Sequence, residues 1–154
     1  MRISILEETT PMPSRSVPAK SRKAKSRKAS RRYIILPDRK TPLPFSDAVL
    51  AGGTLYLSGR IGLDPKTGQA PAKLDEELRL LFDQFTAVLA QAKMTMDDLV
   101  WVQIFSSDES LWAQFNTAYV KRFKQDLPAR AFVSCGPLLF GGHFEMMGIA
   151  TQKS

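Results

Sequence analysis

The sequence predicts an α+β domain of order β-β-α-β-α-β-β, preceded by one short β-type run, with two helices covering one face of a sheet. Three observations carry this. Leu74, Leu78, Leu81, Phe82, Phe85, Val88, Leu89 and Ala92 recur at the spacing of one helix face. Leu99 to Phe105 (LVWVQIF) is a nearly unbroken apolar run of strand length, as expected for a central strand covered on both sides. Leu127 to Ala150 reads as two strands joined by a Pro/Gly loop, and each strand carries one charge among apolar residues, Arg130 and Glu145.

A chain of 154 residues is of one-domain length and can bury a sizeable core. One cysteine, Cys135, excludes an internal disulfide framework and fits a reducing compartment. No apolar run reaches the length of a membrane span or forms a secretion signal behind the N-terminal charges. A cytoplasmic protein without membrane contact is expected. The net charge of +7 suggests a polyanion partner until its distribution is read. Residues 1–32 hold ten Lys or Arg and two Glu, a net of +8, so residues 33–154 carry −1. Nucleic acid is therefore a partner only through the tail.

Residues 1–32 form the first unit, a basic N-terminal extension dominated from Pro11 by Pro, Ser, Ala, Lys and Arg. Too little apolar surface is present to offset chain entropy, so disorder is expected. A polyanion-binding arm, an organelle-targeting peptide and an inert extension all remain open readings of it. The folded unit is 33–154. Tyr33 to Leu36 is a short β-type run, and Pro42 and Pro44 hold an extended segment that delivers Phe45 and Ser46. Ala48–Ala51 and Thr54–Leu57 flank Gly52-Gly53, a hairpin turn needing positive φ. The second strand ends at Ser58-Gly59, where bare backbone lets a ligand approach. Asp64 to Lys73 is a loop. The first helix opens with Asp75, Glu76 and Glu77, favoured by the helix dipole. Ser106 and Glu109 are spaced as a capping box for a second helix, which runs to about Phe123 with Leu111, Trp112, Phe115, Tyr119 and Phe123 on one face.

In the last strand, alternation puts His143, Glu145, Met147 and Ile149 on one face and Phe144, Met146, Gly148 and Ala150 on the other. Neither set is polar enough for solvent. The helices cover one face, and a second copy of the chain is the simplest cover for the other. Glu145 then requires a partner, since an unpaired buried charge costs several kcal/mol or shifts its pKa, roughly by the cost of desolvation. Arg130 is the obvious one, directly or through a bound molecule. Its planar fork suits a substrate carboxylate, and Glu145 suits orienting a water or moving a proton. On the residues alone a structural Arg–Glu pair is the favoured reading. His143, the single histidine, has no second histidine or neighbouring cysteine, so neither a zinc site nor a Ser-His arrangement is expected. Gly141-Gly142 lacks the context of a phosphate loop.

Several stretches, in order, carry a family resemblance: Pro44-Phe45-Ser46-Asp47-Ala48-Val49, Leu57-Ser58-Gly59-Arg60-Ile61, Asn116-Thr117-Ala118-Tyr119, then Pro128-Ala129-Arg130 fifteen residues before Phe144-Glu145. Over about residues 40 to 151 the chain resembles the Rid (YjgF) family of imine deaminases. The resemblance implies a chorismate-mutase-like fold, a homotrimer with sites at the subunit clefts, and no cofactor or metal. It implies hydrolysis of 2-imino or enamine acids to 2-keto acids and ammonia, with Arg130 binding the substrate carboxylate and Glu145 positioning water. Ser58, Gly59 and Asn116 match cleft-lining positions. Three cleft positions depart from the pattern: Phe45 replaces a common tyrosine, Arg60 a glutamine and Phe132 a cysteine. A carboxylate-binding protein of this fold without turnover, and an RNA-binding or ribonuclease role using the tail, are the alternative readings.

Overall fold

A computed structural model of the chain describes residues 30–39 and 41–152. Strands β1 (Arg31–Ile34), β2 (Ala48–Ala51) and β3 (Thr54–Ile61) are followed by helix α1 (Leu74–Gln91), β4 (Leu99–Ser106), α2 (Trp112–Val120), β5 (Ala129–Ser134) and β6 (Phe144–Thr151). One six-stranded mixed sheet results, in the order β1-β2-β3-β6-β4-β5, antiparallel except where β4 meets β5. The predicted α+β class and element order hold. The tail below residue 30, and with it most of the basic extension, lies outside the described residues.

Alternation writes the two faces of the sheet. Phe144, Met146 and Ala150 of β6 and Val102 and Ile104 of β4 are fully buried beneath the helices. Their neighbours Glu145, Met147, Ile149, Trp101, Gln103 and Phe105 line the opposite, partly open face. Leu78, Leu81, Phe82, Phe85, Val88 and Leu89 of α1 fill the core from the other side, as their spacing predicts. Within one chain LVWVQIF is thus covered on one side only, and Val100 and Tyr56 stay about half exposed (46% and 50%).

Four local details differ from the sequence expectation. β1 starts two residues before Tyr33, and Arg32 Nη2 caps the C-terminal carbonyl of Gln91 at 2.8 Å, supplying positive charge where α1 has no basic residue of its own. β3 does not stop at Ser58-Gly59. It runs on to Ile61 through a bulge in which Ser58 and Gly59 together oppose Met147. Asp108 caps the 3₁₀ turn Glu109–Leu111 that leads into the second helix, its carboxylate accepting from Ser110 N at 2.8 Å, while Ser106 belongs to β4 and its hydroxyl donates to Asp108 O. Finally, α2 ends at Val120, three residues before Phe123. At Gly52 and Gly53, φ values of +58° and +85° confirm the hairpin turn.

Candidate functional site

Glu145 stands on the open face, opposite Ile61 in β3 and Phe105 in β4. Its carboxylate lies over the bulge: a methyl group built on Gly59 would fall on Oε1 and come within 2.9 Å of Cδ. Gly59 is therefore bare for the sake of this side chain, whatever else approaches it. The bulge is anchored to the preceding loop. Ser58 Oγ donates to Ser46 O at 2.7 Å and Ser58 N to Asp47 O at 3.1 Å, so the serine hydroxyl is committed to the main chain. Phe45, next along, is about half exposed, with the Arg39 guanidinium 5.3 Å from its ring centre and Arg39 Nη1 donating to its carbonyl at 2.9 Å.

Arg130 is built differently. It pairs with Val102 across the parallel β4–β5 ladder and so lies on the helix side of the sheet, at its edge. Its guanidinium carbon sits 4.8 Å from the ring centre of Tyr119 and 6.0 Å from those of Phe115 and Phe132. A guanidinium held over aromatic rings gains cation–π attraction without spending its N–H groups, which stay available for a planar anion. Phe132, which stands where the resemblance expects cysteine, belongs to this aromatic platform and meets Phe115 edge-on at 5.7 Å. Asn116, one turn before Tyr119 on α2, has a buried Oδ1 without a hydrogen-bond partner among the described residues, and so does the Tyr119 hydroxyl. Burial pushes the Tyr119 phenol up to about 12, with Arg130 pulling the other way.

Within one chain the two charges do not meet. No ion pair joins Arg130 to Glu145 among the described residues; the side chains point to opposite faces, and β4 separates their strands. Two strand spacings place the backbones about 10 Å apart. The direct intrachain pair considered from the sequence is therefore not formed.

Arg60 goes elsewhere. The bulge turns it to the helix side, opposite Met146, where it forms an ion pair with Asp47, itself 1% exposed. Arg39 Nη2 meets the same oxygen of Asp47 at 3.0 Å, and Leu36 N donates to the other at 2.6 Å. Burial lowers the Arg60 pKa, with Asp47 opposing and Arg39 adding to the effect. The cluster ties the Phe45 loop to β3 and lies on the face away from Glu145.

Two features escaped sequence reasoning. Tyr119 lies on the core face of α2 as its spacing predicts, and its place beneath Arg130 depends on β5 lying alongside α2. The helix dipole accounts for Glu77 only in part: it lies between Leu74 and Leu78 on the apolar stripe of α1 and is fully buried. A charge on an apolar stripe needs a partner, and that was the available signal. Its partners are the main-chain N–H groups of His143 (2.7 Å) and Phe144 (3.1 Å) and the His143 ring Nδ1 (2.7 Å).

A two-helix, six-strand mixed sheet of this topology defines an α+β domain of the L-PSP/YjgF type. A sequence profile described as Endoribonuclease L-PSP matches residues 38–152, and the chain belongs to the Rid (YjgF) family. The 2-iminobutanoate/2-iminopropanoate deaminase of Bos taurus is 32% identical to it over 110 residues, covering 71% of this chain and 80% of that protein. Protein MMF1, mitochondrial, of Saccharomyces cerevisiae is 30% identical over 110 residues, 71% of this chain and 76% of that one. The crystal structure of the Rid family protein YyfA from Yersinia pestis matches with a TM-score of 0.74 at 30% identity, over 80% of this chain and 100% of that one. None of the helices described is long and apolar enough to cross a membrane.

Proposed function

We propose that this protein hydrolyses 2-imino acids and their enamine tautomers, 2-aminoacrylate among them, to 2-keto acids and ammonia. The sites would be formed between copies of the chain. The observation that carries the reading is the position of Arg130: its guanidinium carbon lies over the Tyr119 ring, 4.8 Å from the ring centre, and no carboxylate of the described residues pairs with it. A guanidinium with no acid of its own chain has its N–H groups free to take a carboxylate in bidentate fashion. This one is arranged for an acid that comes from outside.

The chemistry then divides between two side chains. The Arg130 fork takes both oxygens of the substrate carboxylate, which fixes the imine carbon in position and orientation together. Glu145 accepts a hydrogen bond from a water and takes its proton as the oxygen attacks the imine carbon. Glu145 returns that proton to the imine nitrogen to give a neutral carbinolamine; the hydroxyl proton then passes through Glu145 to the amine as the C–N bond breaks, so ammonia leaves and a carbonyl remains. Water supplies the oxygen and the protons, so the step balances. Imines of this kind already hydrolyse in water, and holding the reactants in line is the main task left to the protein.

Because Arg130 and Glu145 lie on opposite faces of one sheet, a site using both draws them from different copies. The apolar open face, with Trp101, Phe105, Met147 and Ile149, supports burial against another copy, and the homotrimer the family resemblance implies satisfies both conditions. The names of the bovine and other mammalian relatives support the reaction class. The presence of Glu145 over the bulge favours turnover above carboxylate binding alone. A nucleic-acid role would draw on tail residues outside those described.

The test generates 2-aminoacrylate in situ with a pyridoxal-phosphate-dependent dehydratase and follows pyruvate and ammonia. Faster release with the protein, lost in Arg130→Ala, supports the proposal, whereas equal release with and without it refutes turnover.

A further inference from the structure

We propose that the cavity beside Arg39 and Arg60 binds a small aliphatic monocarboxylate, at a site separate from Arg130 and Glu145. The cavity has a volume of about 260 Å³ and lies between the loop of residues 36–47, β3 and α1. It opens on the helix side of the sheet, whereas Glu145 stands on the open face and Arg130 lies on β5, at the edge of the sheet opposite β1. Arg39, Arg60 and Asp47 line it on one side, and Leu43, Pro65 and Leu80 give it apolar walls.

The charges at this cavity are not balanced. Arg39 and Arg60 meet the same oxygen of Asp47, and the other oxygen accepts from Leu36 N at 2.6 Å. Two guanidiniums share one carboxylate in a cluster whose side chains are only 11%, 17% and 1% exposed. Arg60 pairs with no other acid among the described residues, and its Nε is buried without a partner. Burial holds its pKa below the usual value, as expected of a cation short of counter-charge. The neighbouring acids do not supply what is missing. Asp83, on the α1 wall, is taken by Arg79 at 2.8 Å and Arg122 at 3.5 Å. Asp38 is exposed and acts on Arg60 least of the surrounding charges. Anchoring alone does not call for the second arginine, because Ser58 already fastens the loop to β3 through Ser46 O and Asp47 O.

The cavity defines the kind of anion that restores the balance. Its volume is at the small end of ligand sites, too small for a nucleotide. One excess positive charge matches one carboxylate rather than a phosphate dianion, and a guanidinium is a natural partner for that group. Leu43, Pro65 and Leu80 leave apolar surface facing water, and a short branched aliphatic chain would cover it. A carboxylate seated here would raise the Arg60 pKa back toward its usual value by supplying the second counter-charge.

The test is isothermal titration calorimetry of isovalerate into the full-length Arg130→Ala variant, which lacks the carboxylate clamp of the deamination site. Saturable binding at one ligand per chain is expected, and none with isoamyl alcohol, which keeps the chain without the charge. Arg60→Gln added to that background leaves Asp47 paired with Arg39 and should weaken binding at least about 10-fold, the scale of one hydrogen bond to a charged group. Leu43→Trp keeps both arginines and blocks the cavity with an indole, so it should weaken binding by a similar factor. Leu43 is 46% exposed, so the fold should tolerate that change. No saturable binding at millimolar isovalerate, equal binding of the alcohol, or unchanged affinity in either added variant would overturn the proposal. Arg130 is absent throughout, so the result does not depend on whether the protein deaminates imines.

Discussion

The carboxylate of Glu145 occupies the space that a side chain at Gly59 would need. The bulge in β3 and the acid in β6 are thus one unit: the bulge makes the opening and glycine keeps it clear. Gly59→Ala should push the carboxylate aside rather than break the sheet, because the neighbour that must move is a side chain. The expected cost is about 1–3 kcal/mol of stability from overpacking. A larger fall is expected in kcat for deamination, with binding of an unreactive 2-keto acid preserved. Thermal unfolding beside steady-state kinetics checks both.

Arg130 and Glu145 should fail in different ways. Arg130→Ala removes the carboxylate clamp and should raise KM by about 100-fold, the scale expected for losing one side of a buried charged pair. Arg130→Lys should not rescue it, because an ammonium cannot reproduce the fork. Glu145→Gln should lower kcat by about 100-fold or more with little change in ligand binding. If both residues served only to stabilise the protein, the variants would instead lose Tm with kcat and KM intact in whatever remains folded.

Tyr119 gives the account a pH signature. Its phenol titrates near 10 when unfolded and is pushed up to about 12 when folded. Below 10 both states hold the proton and the stabilisation is fully present. Between about 10 and 12 only the unfolded state releases it, so stability falls as pH rises through that window. Denaturant midpoints measured across the window should show the decline in wild type and a shallower one in Tyr119→Phe. The phenylalanine keeps a ring beneath Arg130, so deamination at neutral pH should survive that change.

Asp47 balances two arginines from a fully buried position. Asp47→Asn leaves Arg39 and Arg60 facing each other and should cost about 3–5 kcal/mol. Adding Arg60→Gln should recover a large part of the loss, which a double-mutant cycle in urea would measure. Strict additivity of the two changes would contradict the cluster.

Much of this was legible in the chain and some of it was not, for physical reasons. The helical stripe from Leu74, the Gly52-Gly53 turn and the alternation along β6 are local patterns, and local patterns survive without coordinates. Arg130 and Glu145 stood out because each was the single charge in an apolar strand. Their separation onto opposite faces did not, since it depends on β4 lying between β5 and β6. Arg60 matches a cleft position by resemblance alone, but a bulge one residue earlier, invisible in the sequence, reverses the parity of β3 and sends it to Asp47. Ser106 resembled a helix cap at the right spacing, but strand pairing claimed it and left Asp108 to do the capping. Glu77 was legible in principle, as a charge on an apolar stripe. Its partner His143 lies 66 positions away along the chain, a distance only the fold closes.

The central claim is that one working site takes Arg130 from one copy and Glu145 from another. Co-expressing Arg130→Ala with Glu145→Gln, each slowed about 100-fold alone when substrate is well below KM, and assaying the purified mixed assemblies under that condition tests it directly. Random assortment into trimers restores about one quarter of the sites, so about a quarter of wild-type deamination per chain is predicted. Mixed assemblies, verified by differential tags, with no more activity than either parent would place both residues in the same copy and contradict the account.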